Sequence, residues 1–242
     1  MEKEDYNDYT KEELLNILEK QQIRIEVLEQ MLKQQTDSLQ KWNDNTIELI
    51  GTIVEFRDLE SGNHIKRVKK YSEIIARQVQ KSFPEYGLTN EEVHIIVVAS
   101  PLHDIGKIAI PDSILLKPGK LTEDEFDYMK SHTLSGKEVL EKVKDIWPEK
   151  YRKIAMEISC FHHERYDGKG YPYGLIGNQI PLSAQIVSLA DVYDALVHER
   201  IYKDAIPRDR AFRMIIHGEC GAFNPELLKC MELCKEALEQ NI

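Results

Sequence analysis

The sequence predicts an all-α protein, a long N-terminal helix followed by a helical domain. Apolar residues recur at three- and four-residue spacing through most of the chain, while the period-two alternation of a half-buried strand is scarce. Helix starts are abundant: "LTNEE" and "LTEDE" each place Thr or Asn ahead of a Glu-rich first turn.

The first element is the long helix. From Thr10 to about Asp58 the chain has no proline, and its only glycine is Gly51. The opening "TKEE" predicts that Thr10 caps the helix and Glu13 reaches back to it. Read in heptads, Leu18, Ile25, Leu32 and Leu39 fill one position; Leu14, Gln21, Leu28, Gln35, Trp42 and Leu49 fill the other. That pattern suits a two-stranded coiled coil with polar interruptions, and so a homodimer through this helix. The alternative is a single amphipathic helix lying on its own domain. Residues 1–48 are assigned to this element and 49–242 to the domain.

Within the domain, "HIKRVKKYSEIIARQVQ", "NEEVHIIVVASPLHDIGK", "TEDEFDYMKSHTLSGKEVLEKV", "YRKIAMEISCFHHE" and "SAQIVSLADVYDALVHERIY" each carry the helical period. One irregular stretch interrupts them. "YDGKGYPYGLIGNQIPL" is rich in glycine and proline and has the length of a functional loop.

Composition narrows the function. The 242 residues include 42 Asp and Glu against 32 Lys and Arg, which argues against a protein that coats long nucleic acid through a basic face. A small anionic substrate stays compatible, because a local cationic pocket can sit inside an acidic protein. No apolar run approaches a membrane span, and "MEKEDYNDYTKEE" lacks the features of a signal peptide. The four cysteines show no CxxC spacing and read as reduced thiols of a cytoplasmic protein.

The chemistry is suggested by histidine and aspartate doublets. Of eight histidines, five stand in settings that resemble ligand positions: His64, His103, His132, His162 and His163. His94, His198 and His217 read as ordinary surface or core residues. His103 precedes Asp104, His162 precedes His163, and Asp191 lies in the otherwise apolar "SLADVYDAL". Two adjacent polar groups entering a core are costly unless something satisfies them. Neighbours on a helix point about 100° apart, so an aspartate can bridge two ions while the adjacent histidine holds one. A dinuclear centre, with ions about 3.5–4 Å apart, suits in-line phosphoryl displacement. Nitrogen and oxygen donors without thiolate suit iron, manganese or zinc.

"HDIGKIAIPDSILLKPGKLT", "MKSHTLSG", "HHERYDGKGYPYGLIGNQIPL" and "ADVYDAL" together resemble the HD-GYP family, a branch of the HD superfamily of metal-dependent phosphohydrolases. The resemblance runs from about Ile50 to Leu228, includes Gly170-Tyr171-Pro172, and leaves residues 1 to 45 unexplained. It implies a helical domain around two or three divalent metal ions, commonly Fe or Mn, that hydrolyses the bacterial second messenger cyclic di-GMP. The ligands it implies are His64, His103, Asp104, His132, His162, His163 and Asp191. Glu60, four residues before His64, matches the subset of the family in which that Glu helps bind a third metal.

For the substrate, the resemblance implies phosphate binding by Lys107, Arg200 and Lys203. Lys107 shares the helical face of His103 if the helix continues through Gly106. Tyr171 is a candidate to pack on the substrate, and its loop is equally a candidate surface for a protein partner. Asp194 shares a face with Asp191 and is expected to support a ligand or a lysine. The expected reaction is attack on phosphorus by a water or hydroxide bridging two metals, with Asp104 and Lys107 as catalytic groups. The chain departs from the family pattern at Ser61, Gln185 and Ile201. Two other readings stay open: an HD phosphohydrolase acting on another cyclic dinucleotide or nucleotide, and a nucleotide-binding signalling adaptor.

Overall fold

The computed structural model describes residues 9–58, 63–144, 146–199 and 205–240. Every regular element among them is helical. The helices are α1 (Lys11–Arg57), α2 (Asn63–Ser82), α3 (Asn90–Ala99), α4 (Asp112–Leu115), α5 (Glu123–Lys130), α6 (His132–Glu141), α7 (Glu149–Phe161), α8 (Leu182–Val197), α9 (Arg208–Ile216), α10 (Pro225–Leu233) and α11 (Lys235–Gln240). An isolated antiparallel bridge joins Asp167 to Ile176 within the long loop. None of the described helices is long and apolar enough to cross a membrane.

The chain divides into two compact units, Met1–Asn45 and Thr46–Ile242. In the first, the Thr10 amide donates to Glu13 Oε2 at 2.8 Å and the Glu13 amide to Thr10 Oγ1 at 3.3 Å, the reciprocal cap that "TKEE" predicts. Apart from the half-buried Leu14, its apolar heptad residues are exposed, with Leu32 at 66% and Leu39 at 72%.

The second unit is built around α2, α3, α7 and α8, which pack against one another. On α2 the buried residues Ile65, Val68, Tyr71, Ser72, Ile75, Ala76 and Val79 follow helical spacing and form one stripe. Each fully buried aliphatic side chain here contributes roughly 1.5–3 kcal/mol. Tyr71 meets Tyr193 of α8 edge to face, ring centroids 5.1 Å apart. Thr89 and Thr122 cap α3 and α5 in the same reciprocal manner, with Glu92 and Glu125 as partners.

Two predicted helices are broken where the site is built. "NEEVHIIVVASPLHDIGK" ends as α-helix at Ala99 and continues as 3₁₀ turns over Ser100–Leu102 and Ile105–Ala109. Pro101 has no N–H to extend the α ladder. Gly106 packs its backbone on α6, where an added Cβ would lie 1.8 Å from the His132 carbonyl oxygen. His103 and Lys107 therefore do not share an α-helical face. "TEDEFDYMKSHTLSGKEVLEKV" likewise divides at Ser131 into α5 and α6, and His132 becomes the first residue of α6.

Candidate metal centre

Six elements or their ends deliver polar groups to one buried pocket. His64 comes from the first turn of α2, and His103 and Asp104 from between the two 3₁₀ turns. His132 starts α6, His162 caps the end of α7 with His163 following, and Asp191 lies on α8. Asp104, His132, His162 and His163 form one group whose ligand atoms all lie within 4.8 Å of one another; His64, His103 and Asp191 form a second.

Asp104 faces both groups. Its Oδ1 lies 3.3 Å from His132 Nε2 and 3.6 Å from His162 Nε2, and its Oδ2 lies 3.4 Å from His103 Nε2. In the other group, His64 Nε2 lies 3.5 Å from Asp191 Oδ1.

The rings are turned so that Nε2 faces the centre. His103 Nδ1 contacts the Ser100 carbonyl at 2.9 Å, His132 Nδ1 that of Met129 at 2.8 Å, and His162 Nδ1 those of Ile158 and Ser159 at 3.1 Å. A carbonyl can only accept, so each Nδ1 carries a proton, and in the neutral ring the lone pair is on Nε2. Nε2 of His103, His132 and His162 and Asp104 Oδ1 are buried without a hydrogen-bond partner. Four convergent buried acceptors without a donor are what a cation would satisfy. The residues therefore fit divalent metal ions.

His64 is oriented differently. Its Nδ1 lies 2.7 Å from Oδ2 of the buried Asp194. Asp194 is also held by Arg67, Nε to Oδ1 at 2.6 Å and Nη2 to Oδ2 at 3.0 Å, and lies 3.1 Å from His198 Nδ1. Burial opposes its charge, but the bonds from His64 and Arg67 prevail and bring its pKa down to about 2. Asp194 thus supports a histidine and is paired with an arginine.

Electrostatics keep the pocket's charges separated. Burial pushes the Asp104 carboxyl up, but Lys107 and His103 outweigh it and hold it well below the usual range. Burial likewise opposes the Lys107 charge, which Asp104 and Asp58 sustain. Its Nζ sits 2.5 Å from Asp58 Oδ2 and 3.0 Å from Asp104 Oδ2. Burial also lowers His103, yet with no ion bound Asp104 and Asp191 carry it up to about 9, so a cation at Nε2 would take the place of a proton. His132 is lowered to about 4 and His163 well below its ordinary value, burial being the main cause for both.

The HD domain family matches residues 26–227. This chain belongs to the HD domain family. It has the HD-GYP form, in which His103 and Asp104 are the HD pair and Gly170-Tyr171-Pro172 the loop signature. HD domains bind divalent metal, and the two groups around Asp104 offer donors that could hold it. The chain is 40% identical over 213 residues to the cyclic di-GMP phosphodiesterase response regulator RpfG of Xanthomonas campestris pv. campestris, covering 88% of this chain and 53% of that protein. It is also 40% identical over 182 residues to the 3'3'-cGAMP-specific phosphodiesterase 2 of Vibrio cholerae, covering 75% of this chain and 33% of that one. It thus spans about half the length of the first relative and a third of the second. The solved structure of Bd1817, an HDG"Y"P protein from Bdellovibrio bacteriovorus, shares the fold at TM-score 0.52 and 18% identity, covering 80% of this chain and 63% of that one.

In this HD domain the candidate pocket has two faces. One opens to a groove of about 350 Å³ lined by Phe126, Lys130, His162, His163, Arg165 and Tyr171. The Tyr171 ring packs on that of His163 at 4.8 Å between centroids, and the Tyr171–Pro172 bond is cis. Lys107 lies on the other face, beside a smaller cavity that it lines with Glu55, Asp58, His64, His103 and Asp104. Glu60, Arg200 and Lys203, and with them Ser61 and Ile201, lie outside the described residues. Gln185 is buried and donates to the Ile180 carbonyl at 2.7 Å.

Sequence reasoning missed Arg67, Asp58 and Glu164. Arg67 stands three residues after His64, as Asp194 stands three after Asp191, and that matched spacing was a readable signal. Glu164 follows the histidine pair and is buried; it accepts the amides of Tyr173 at 2.7 Å and Leu175 at 2.9 Å, pinning the loop. Gly170 lets this loop approach closely, since a Cβ there would lie 2.3 Å from the Arg165 nitrogen.

Proposed function

We propose that this chain is a metal-dependent phosphodiesterase that hydrolyses cyclic di-GMP to the linear dinucleotide and GMP in bacterial second-messenger signalling. The observation that carries the reading is Asp104, whose two oxygens face two different groups of ligands inside one buried pocket. The activities for which the relatives are named, as phosphodiesterases of cyclic dinucleotides, support it.

Asp104, His132, His162 and His163 would hold one divalent ion; His64, His103 and Asp191, with Asp104 shared, would hold another. Glu60 is proposed for a third. Donors that are all nitrogen or oxygen suit iron, manganese or zinc, and the family resemblance favours iron or manganese among them. Bound there, the ions supply Lewis-acid charge at phosphoryl oxygens and a water of lowered pKa. The rest falls to side chains. Lys107, kept charged by Asp58 and Asp104, adds positive charge beside the cluster for the extra negative charge of the transition state. Asp194 and Arg67 orient His64. Tyr171 offers an aromatic face at the groove for a base, and Arg200 and Lys203 are assigned to phosphate.

Beyond the site, we assign the exposed heptad residues of residues 1–48 to a homodimer, with the domain at 49–242. Tyr173 and Ile176, exposed on the GYP loop, are assigned to a protein partner. Four free cysteines suit a cytoplasmic setting.

The test is a product assay. Protein loaded without oxygen with iron(II) or manganese(II) is incubated with cyclic di-GMP, and separately with 3'3'-cGAMP, and the products are resolved by chromatography. GMP or linear dinucleotide from cyclic di-GMP is the expected result. Turnover of 3'3'-cGAMP alone would move the assignment to the other cyclic dinucleotide, which a relative of equal identity favours. Tight binding by metal-loaded protein with no turnover of either would leave an adaptor.

A further inference from the structure

The last two turns of α1 lie along the segment that carries His103, Asp104 and Lys107. At Gly51 the approach is backbone to backbone, since an added Cβ would lie 2.4 Å from the Pro101 carbonyl oxygen. Six residues on, the Arg57 guanidinium spends its donors on this same segment. Nη1 donates to the carbonyls of Lys107 at 2.9 Å and Ile108 at 2.8 Å, and Nη2 to that of Ile110 at 2.6 Å. Nε and Nη2 also reach Asp112 Oδ1, at 3.2 and 2.8 Å. A guanidinium has five N–H groups, and this arrangement gives every one an acceptor.

The carbonyls belong to the 3₁₀ turn after Asp104 and its exit. A 3₁₀ turn has poorer hydrogen-bond geometry than an α-helix, so this segment draws less on its own backbone. The next residue completes the contact, because Asp58 holds the Lys107 amine that also touches Asp104. Arg57 thus governs the backbone of the segment and Asp58 its side chain, and both lead to the carboxylate shared by the two ligand groups.

We propose that Arg57 is a positioning residue: by gathering the carbonyls of Lys107, Ile108 and Ile110, it holds Asp104 and Lys107 in register with the metal pocket without touching substrate. This rests on the reading of the pocket as a metal-dependent phosphodiesterase centre. Lysine is a poor replacement, because a point charge with three donors cannot span three carbonyls and a carboxylate.

The test compares full-length protein with Arg57→Ala and Arg57→Lys. Its readouts are manganese(II) affinity, amide exchange over residues 105–112, and kcat and KM. In Arg57→Ala, exchange over 105–112 should quicken while α2 and α8 stay protected. Manganese affinity or kcat should fall about 10–100-fold, the usual cost of losing a group that orients ligands, with KM little changed. Arg57→Lys should recover part of the loss. Unchanged exchange and metal affinity would overturn the proposal, as would quickened exchange with unaltered metal affinity and kcat. If Arg57→Ala does not fold, Arg57→Lys decides by the same readouts. A parent protein that hydrolyses no cyclic dinucleotide would defeat the proposed function, and exchange and manganese affinity would still decide on Arg57.

Discussion

His64 and the three histidines His103, His132 and His162 present Nε2 to the same pocket, but they are oriented by different means. His103, His132 and His162 lean on carbonyls of their own local turns, three or four residues away. His64 leans on Asp194, 130 residues later in the chain, and Asp194 is itself held by Arg67. A carbonyl is supplied by backbone geometry, so those three rings are set once the turns form. A carboxylate is an ionised side chain that strengthens its histidine as a ligand and depends on its own partners. The side of His132 and His162 is thus oriented by local structure, while the side of His64, His103 and Asp191 depends in part on tertiary packing.

Asp104 belongs to both sides, and its loss should have the largest effect. Asp104→Ala is expected to abolish turnover and release most of the bound metal, read by elemental analysis beside the product assay. Normal turnover with retained metal would end the assignment. Asp194→Asn should act on one side only: metal content drops toward one ion fewer per chain, and activity falls about 10–100-fold. Equal loss from both sides would erase the distinction.

Arg67→Met should be milder, because Asp194 keeps His64 and His198. A loss of about 1.5–3 kcal/mol in unfolding free energy is expected from removing hydrogen bonds to a charged group, with metal content near normal. Chemical denaturation measures it. Ser100→Ala should do least to the metal centre. The Ser100 hydroxyl donates to the Val97 carbonyl at 2.9 Å, and it is the Ser100 carbonyl, which alanine keeps, that holds His103. A large fall in metal affinity in that variant would show that a locally oriented histidine depends on side chains after all.

The same division governs what was legible in advance. The caps at Thr10, Thr89 and Thr122 were readable because donor and acceptor lie three residues apart. The ligand candidates were readable because doublets such as His103-Asp104 and His162-His163 are costly in an apolar setting unless something binds them. The break at Ser131 and the 3₁₀ passage through Pro101 and Gly106 were not. Helical spacing continues across both, and although Pro101 is an obstacle to the α ladder, the close approach of Gly106 to α6 exists only in the folded domain. Arg57 and Asp58 looked like ordinary charges at a helix end, since their partners lie 49 to 55 residues away.

By itself the sequence determined the helical class, the local caps and the set of histidines and aspartates, because each rests on the period of one helix or on residues a turn apart. Tertiary structure alone decided that Asp104 faces two groups, that Asp194 serves His64, and that the end of α1 grips the segment behind Lys107. Those depend on distances between helices, which packing sets and no local pattern contains.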